Sequence, residues 1–203
     1  MPKVRLFLVL LVLGLPHLSF ADGLATPFPG SIELPLVSKF PLNAWQACPA
    51  RTAMHAISFS HKFGENLTFQ ESFSLQCLPS QSMVTTQCSW GQWVSNFPLS
   101  SRADADSDSV IAGIAFTHRK DENFTYQESF AIMTCKLANP HPNRPPRIII
   151  GATKFSLQSN ATCDRNGTPA PDGLIVAITI GFSHFKDQNE TYQEQYVVMC
   201  STD

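Results

Sequence analysis

The chain has 203 residues, of which 43% are apolar and only 15% charged, with 14 Lys plus Arg against 16 Asp plus Glu and a formal charge of −2. Such a chain can bury a core and is too apolar and aromatic to be a disordered, solvating segment. The slightly acidic balance leaves no basic reservoir for phosphates, which excludes nucleic-acid binding through the surface at large.

Residues 1 to 21 read as a cleaved signal peptide. Lys3 and Arg5 precede the apolar run Leu6 to Leu15, and Ser19 and Ala21 are small residues placed for cleavage before Asp22. The run is too short to span a bilayer, which needs about 20 apolar residues. Cleavage would take the formal charge from −2 to −4, since Lys3 and Arg5 leave with no acidic residue. The expected mature protein is secreted and extracellular. Residues 22 to 47 follow as an extended arm with Pro27, Pro29, Pro35 and Pro41, apolar enough to lie along the body. Residues 48 to 203 then form a single domain.

That domain is a threefold repeat. Residues 57 to 77 (ISFSHKFGENLTFQESFSLQC), 114 to 135 (IAFTHRKDENFTYQESFAIMTC) and 180 to 200 (IGFSHFKDQNETYQEQYVVMC) share a His, an Asn five residues on and a Glu five further: His61 and Glu71, His118 and Glu128, His184 and Glu194. Each copy alternates with period two and is rich in aromatic and β-branched residues, so each is read as a β-hairpin. In the first, Ile57, Phe59 and His61 share a face, as do Phe69, Glu71, Phe73 and Leu75 on the returning strand. One hairpin is marginal in water, so three are expected to pack their aromatic faces together around a pseudo-threefold axis. The expected fold is all-β, a disulfide-bonded β-prism or trefoil-like arrangement with repeats at about 48–78, 88–137 and 148–200. The second copy has one extra residue before its cysteine, which is read as a β-bulge.

Between the hairpins the composition changes. Cys88-Ser-Trp-Gly-Gln-Trp93 carries Trp90 and Trp93, read first as core and alternatively as an exposed sugar-stacking pair. Ser100 to Ser109 (SSRADADSDS) reads as an acidic loop, and Asn139 to Pro146 (NPHPNRPP) as a connector that cannot be a central strand. Sequons stand at Asn66, Asn123, Asn160, Asn166 and Asn189, three of them at the hairpin turns, where Asn and Thr also serve as turn formers.

All six cysteines belong to the mature chain: Cys48, Cys77, Cys88, Cys135, Cys163 and Cys200. In an oxidising compartment they become disulfides, and repeat logic favours one bridge within each unit, with Cys77–Cys88 as the rival. Metal is not expected, because no C-x-x-C or H-x-x-x-H spacing occurs. The His and Glu of each repeat are read as a structural hydrogen-bonded pair, with a ligand site as the alternative. No hydrolase, nucleotide or zinc-protease signature is present, so neither catalysis nor a cofactor is expected.

The layout from Cys48-Pro49 to Cys135, with C-L-P-S (Cys77 to Ser80), C-S-W (Cys88 to Trp90) and V-I-A-G-I (Val110 to Ile114), resembles the dermatopontin family of secreted matrix proteins and their invertebrate lectin-like and cell-aggregation relatives. That stretch matches best, and the resemblance as a whole covers about 150 residues, essentially the whole core. Where that family carries D-R-x-W on the returning strand, this chain has T-[FY]-Q-E. It implies adhesion through glycans, glycosaminoglycans or matrix proteins. A second resemblance is to the three-repeat β-prism that ends apicomplexan perforin-like proteins, which implies recognition of a membrane surface.

Overall fold

The computed structural model describes residues 30–38, 44–63, 69–80, 82–95, 101–120, 126–140, 147–153, 158–163, 175–186 and 192–202. The signal-peptide segment lies outside these, as do Asn66, Asn123, Asn166, Asn189 and the Pro-rich stretch 141–146. Among the described residues there are strands and no helix, with three disulfides. The fold class is all-β.

Each copy of the repeat is a long antiparallel hairpin. β4 (Thr52–Phe63) pairs with β5 (Phe69–Pro79), β9 (Ser109–Lys120) with β10 (Tyr126–Leu137), and β13 (Ile175–Lys186) with β14 (Tyr192–Thr202). The registers correspond: Phe59 faces Phe73, Phe116 faces Phe130, and Phe182 faces Tyr196. Each leading strand bulges at the same place, at His55, Ala112 and Ile178, four residues before its Phe. The extra residue of the second copy makes no bulge of its own against β9, whereas against β6 the register of β10 shifts between Cys135 and Leu137. It places Cys135 one position further along β10, beside Thr134, and because side chains alternate across a strand this turns the cysteine to the other face.

Short strands complete each hairpin into a sheet. On the returning side, β1 (Ile32–Glu33) and β2 (Val37–Ser38) pair with β5, β6 (Met83–Trp90) and β7 (Val94–Ser95) with β10, and β11 (Arg147–Thr153) with β14. The described part of the N-terminal arm thus lies along the body in short strands. On the leading side the chain exchanges strands between repeats. β3 (Ala44–Ala47) joins β9, β8 (Ser101–Asp104) joins β13, and β12 (Gln158–Thr162) returns to β4. The strand ahead of the first hairpin goes to the second, the one ahead of the second to the third, and the one ahead of the third to the first. Part of the expected acidic loop is therefore strand. Its alternation of half-buried Ser101 and Ala103 with exposed Arg102 and Asp104 suits a sheet edge that faces water.

The inner faces meet in one core. Phe59, Phe116 and Phe182 form a triangle of edge-to-face rings, with centroids 6.0, 5.9 and 5.5 Å apart. Phe73, Phe130 and Tyr196 pack against them, and Ile57, Ile114 and Ile180 stand two residues earlier on the leading strands. At the starts of those strands a second cluster joins Ala53, Val110 and Val176 with Met83 and Cys135.

The disulfides are Cys48–Cys77, Cys88–Cys135 and Cys163–Cys200. Cys77 and Cys200 point into the main core, where each meets the cysteine that follows an exchanged strand. Cys135, on the opposite face, bridges the cysteine directly across on β6. One bridge accordingly lies in each repeat, and Cys77–Cys88 is not formed.

Candidate functional site

The outer face of the β9–β10 sheet carries an arrangement that the other two sheets lack among the described residues. β3 alternates strictly: Ala44 and Gln46 are buried and Trp45, between them, is 65% exposed. Parity alone sends the indole outward once Ala44 is seated opposite Phe116. Three contacts hold the strand in place. Gln46 Nε2 donates to the Pro35 carbonyl, Cys48 N donates to Ala112 O at 2.7 Å, and the Cys48–Cys77 bridge follows directly.

Across β9 and β10, Trp45 stands opposite Ala115, and Ala115 opposite Ala131. These two alanines are the floor. On the far side β6 ends at Trp90, opposite Met133, and Trp93 lies just before β7, where Val94 faces Phe130. Gly91 N donates to Ile132 O at 2.8 Å, which holds the segment between the two tryptophans against the sheet. Trp90 is 43% and Trp93 52% exposed, so the core placement first expected for them does not hold. Trp45 and Trp90 meet at 81° with centroids 6.5 Å apart. Together these residues enclose an open trough of about 310 Å³. It holds all three tryptophans of the chain and, among the described residues, no ionisable side chain.

Small floor residues between large walls make the depression, and the corresponding positions elsewhere show why it occurs here. On the β4–β5 sheet the floor pair is Ser58 and Ser74, with Asn160 in the place of Trp45. On the β13–β14 sheet it is Gly181 and Val197, with Arg102 in that place. Trp45 was not singled out from the sequence. The alternation in Ala44-Trp45-Gln46-Ala47 carries the signal, but only the pairing with β9 says which face is outside.

The repeated His and Glu are brought together in register: His61 opposite Glu71, His118 opposite Glu128, and His184 opposite Glu194. Glu128 is buried. The histidine side chains lie outside the described part. A histidine that drew no attention in the sequence, His55, is buried at the β4 bulge. Its Nε2 lies 3.3 Å from Thr162 Oγ1, and its carbonyl accepts from Cys163 N at 2.9 Å, which fastens the exchanged strand β12 to its host. Asn160 stands on β12 opposite Ser58.

The described ion pairs lie elsewhere. Lys136 Nζ bonds Asp108 at 2.6 Å and Asp106 at 3.0 Å, which ties the acidic segment to the end of β10. The hydrogen bond from Lys136 holds the Asp108 carboxyl below its ordinary value, and Asp108 in turn raises Lys136. Arg102 pairs with Asp104 at 2.9 Å, and Asp104 also accepts from Thr179 Oγ1 at 2.6 Å. Lys136 is five residues beyond Ala131, about 17 Å along the strand. No set of three metal-ligating side chains comes together among the described residues. No family model, curated protein or solved structure matches the chain.

Proposed function

We propose that the protein is a secreted, lectin-like binding and adhesion protein of dermatopontin type, which recognises glycans through the tryptophan trough. In this reading the three hairpin sheets form a three-sided β-prism, for which the ring triangle and the cyclic exchange of strands speak. The observation that carries the functional reading is the gathering of Trp45, Trp90 and Trp93, all exposed, around a floor of alanines. Burying such rings would favour folding, so three at one surface site imply a partner that covers them. Three disulfides suit an extracellular protein. The alternative, recognition of a membrane surface, fits the trough less well. Its floor lies at the middle of β9 and β10, whereas insertion into a bilayer calls for apolar side chains at a protruding tip.

The test is a glycan array and a liposome panel, run on the wild-type protein and Trp45→Ala. Glycan signals that disappear in the variant, with circular dichroism unchanged, are the expected outcome. Liposome binding without glycan binding refutes the reading.

A further inference from the structure

Resting on the proposal that the trough is the glycan site, we infer that its ligand is an uncharged pyranose held by the C–H face of one ring, and that Ala115 and Ala131 set the depth at which the ring sits. Three features of the trough lead there.

The first is charge. None of Ala44, Trp45, Trp90, Trp93, Ala115 and Ala131 can ionise, and Gly91 and Phe116 are the other described lining residues. A sulfate or carboxylate placed here would give up water without gaining a counter-charge, which is costly. Among the described basic side chains, Arg102 and Lys136 are already engaged by Asp104, Asp106 and Asp108. An uncharged ring loses nothing by the same transfer. Its polarised C–H bonds meet the negative face of an indole, and its hydroxyls stay in water at the open side.

The second is the angle. Trp45 and Trp90 stand at 81°, so the two cannot sandwich one flat ring between parallel faces. A sugar stacked on one indole has its edge bounded by the other. Such a corner accepts one ring rather than a continuous ribbon of stacked residues.

The third is size. At about 310 Å³ the trough is at the bottom of the range for small-molecule sites, roughly 300–1,000 Å³. Its floor is set by two methyl groups, Ala131 at 2% and Ala115 at 8% exposure. A longer side chain at either position would occupy the space of the ring.

Because every tryptophan of the chain lines the trough, intrinsic emission reports on this site without background from elsewhere. The experiment titrates the full secreted protein with methyl galactoside, methyl mannoside, methyl fucoside and N-acetylglucosamine, and separately with heparin and phosphocholine, at 50 and 500 mM NaCl. We expect a saturable emission change with at least one neutral glycoside, with a Kd that moves less than twofold between the two salts, since no ion pair is there to be screened. Ala115→Leu and Trp45→Ala should each weaken it at least tenfold. Leu at 115 faces outward, and unchanged urea midpoints would show that both variants fold. If heparin alone binds, salt-sensitively, and Trp45→Ala abolishes it, the trough is a glycan site but the ligand class inferred here is wrong. Saturation by phosphocholine alone overturns the inference in favour of a cationic headgroup. Glycan-array signals that survive both variants overturn the placement of the site as well.

Discussion

Glycines at sheet positions make the sharpest test of the strand exchange, because the cost of a single methyl group can be ranked from the geometry. At Gly113, in β9 opposite Ala47, an added Cβ would lie 2.7 Å from the Gln46 carbonyl oxygen, 3.1 Å from Ala47 Cα and 3.3 Å from Ala47 Cβ. The first two are backbone atoms of β3, so the strand itself must move. Overpacking of this kind costs about 1–3 kcal/mol, and each kcal/mol lowers Tm by roughly 2–4 °C at this chain length. At Gly181 the nearest atoms are Arg102 Cβ and the Ser101 oxygen of β8, both at 3.2 Å, tight but within reach of a small shift. At Gly91 the only neighbour among the described residues is the Ile132 oxygen at 3.5 Å, an ordinary contact. There an alanine should stabilise by roughly 0.4–1 kcal/mol, by restricting the unfolded chain. The expected order of urea midpoints under non-reducing conditions is Gly91→Ala above wild type, Gly181→Ala near it, and Gly113→Ala clearly below. In Gly113→Ala the displaced β3 should also alter tryptophan emission before global unfolding. A Gly113→Ala midpoint equal to wild type, or above that of Gly91→Ala, would show that β3 does not lie against β9.

Partial reduction followed by alkylation should open Cys88–Cys135 first, since Cys88 alone among the cysteines is half-buried and the other five are buried. On the chain-entropy estimate, loss of the three bridges, with separations of 29, 47 and 37 residues, costs about 3.6, 4.0 and 3.8 kcal/mol in chain order. Thus the first bridge to open is not the weakest in stabilising effect, and midpoints of Cys-pair→Ala variants would check the near-equality. Glu128→Ala removes a buried carboxyl that faces His118 and should destabilise by roughly 1–3 kcal/mol, read as a lower urea midpoint at unchanged slope. Lys136→Met should lower stability at neutral pH by an amount that vanishes at both extremes. The lowered Asp108 contributes above 3.8 and loses its contribution as pH falls through its folded value, while the raised Lys136 contributes fully below 10.5 and loses its contribution as pH rises through its higher folded value. Urea midpoints of both proteins from acid to alkaline pH would show the difference closing at each end.

Much of the fold is written locally. Period-two alternation and the recurring His, Asn and Glu mark three hairpins, and the registers Ile57 to Leu75 and Phe59 to Phe73 follow from placing one polar turn between two aromatic strands. Other features are long-range choices that no local pattern encodes. Nothing in Gln158 to Thr162 says that its partner is β4 rather than its own hairpin, since an edge strand of mixed polarity fits several hosts. The acidic run at 101–104 looked like a loop because charged residues are depleted from strands in general, yet at an edge they are what keeps the strand soluble. The extra residue before Cys135 was visible, but its effect, a turn to the opposite face, depends on where the pairing with β9 holds fast. The trough was half legible. Trp90 and Trp93 could be named, whereas their exposure and their meeting with Trp45 depend on a strand that precedes the first hairpin and is housed in the second.

The ring of exchanged strands imposes a timetable on synthesis. β4 and β5 leave the ribosome early, but the edge of β4 is closed only by β12, roughly a hundred residues later, so the first sheet stays open until the third repeat has begun to appear. During that interval an exposed leading strand is a template for any other chain nearby. Cys48 and Cys77 are both present by then and can close their bridge within the first repeat, whereas Cys163 and Cys200 can lock only the completed ring. The oxidation of the last pair is thus a signature of finished topology, and a chain halted before residue 158 would carry an unfilled edge that disulfide formation cannot repair.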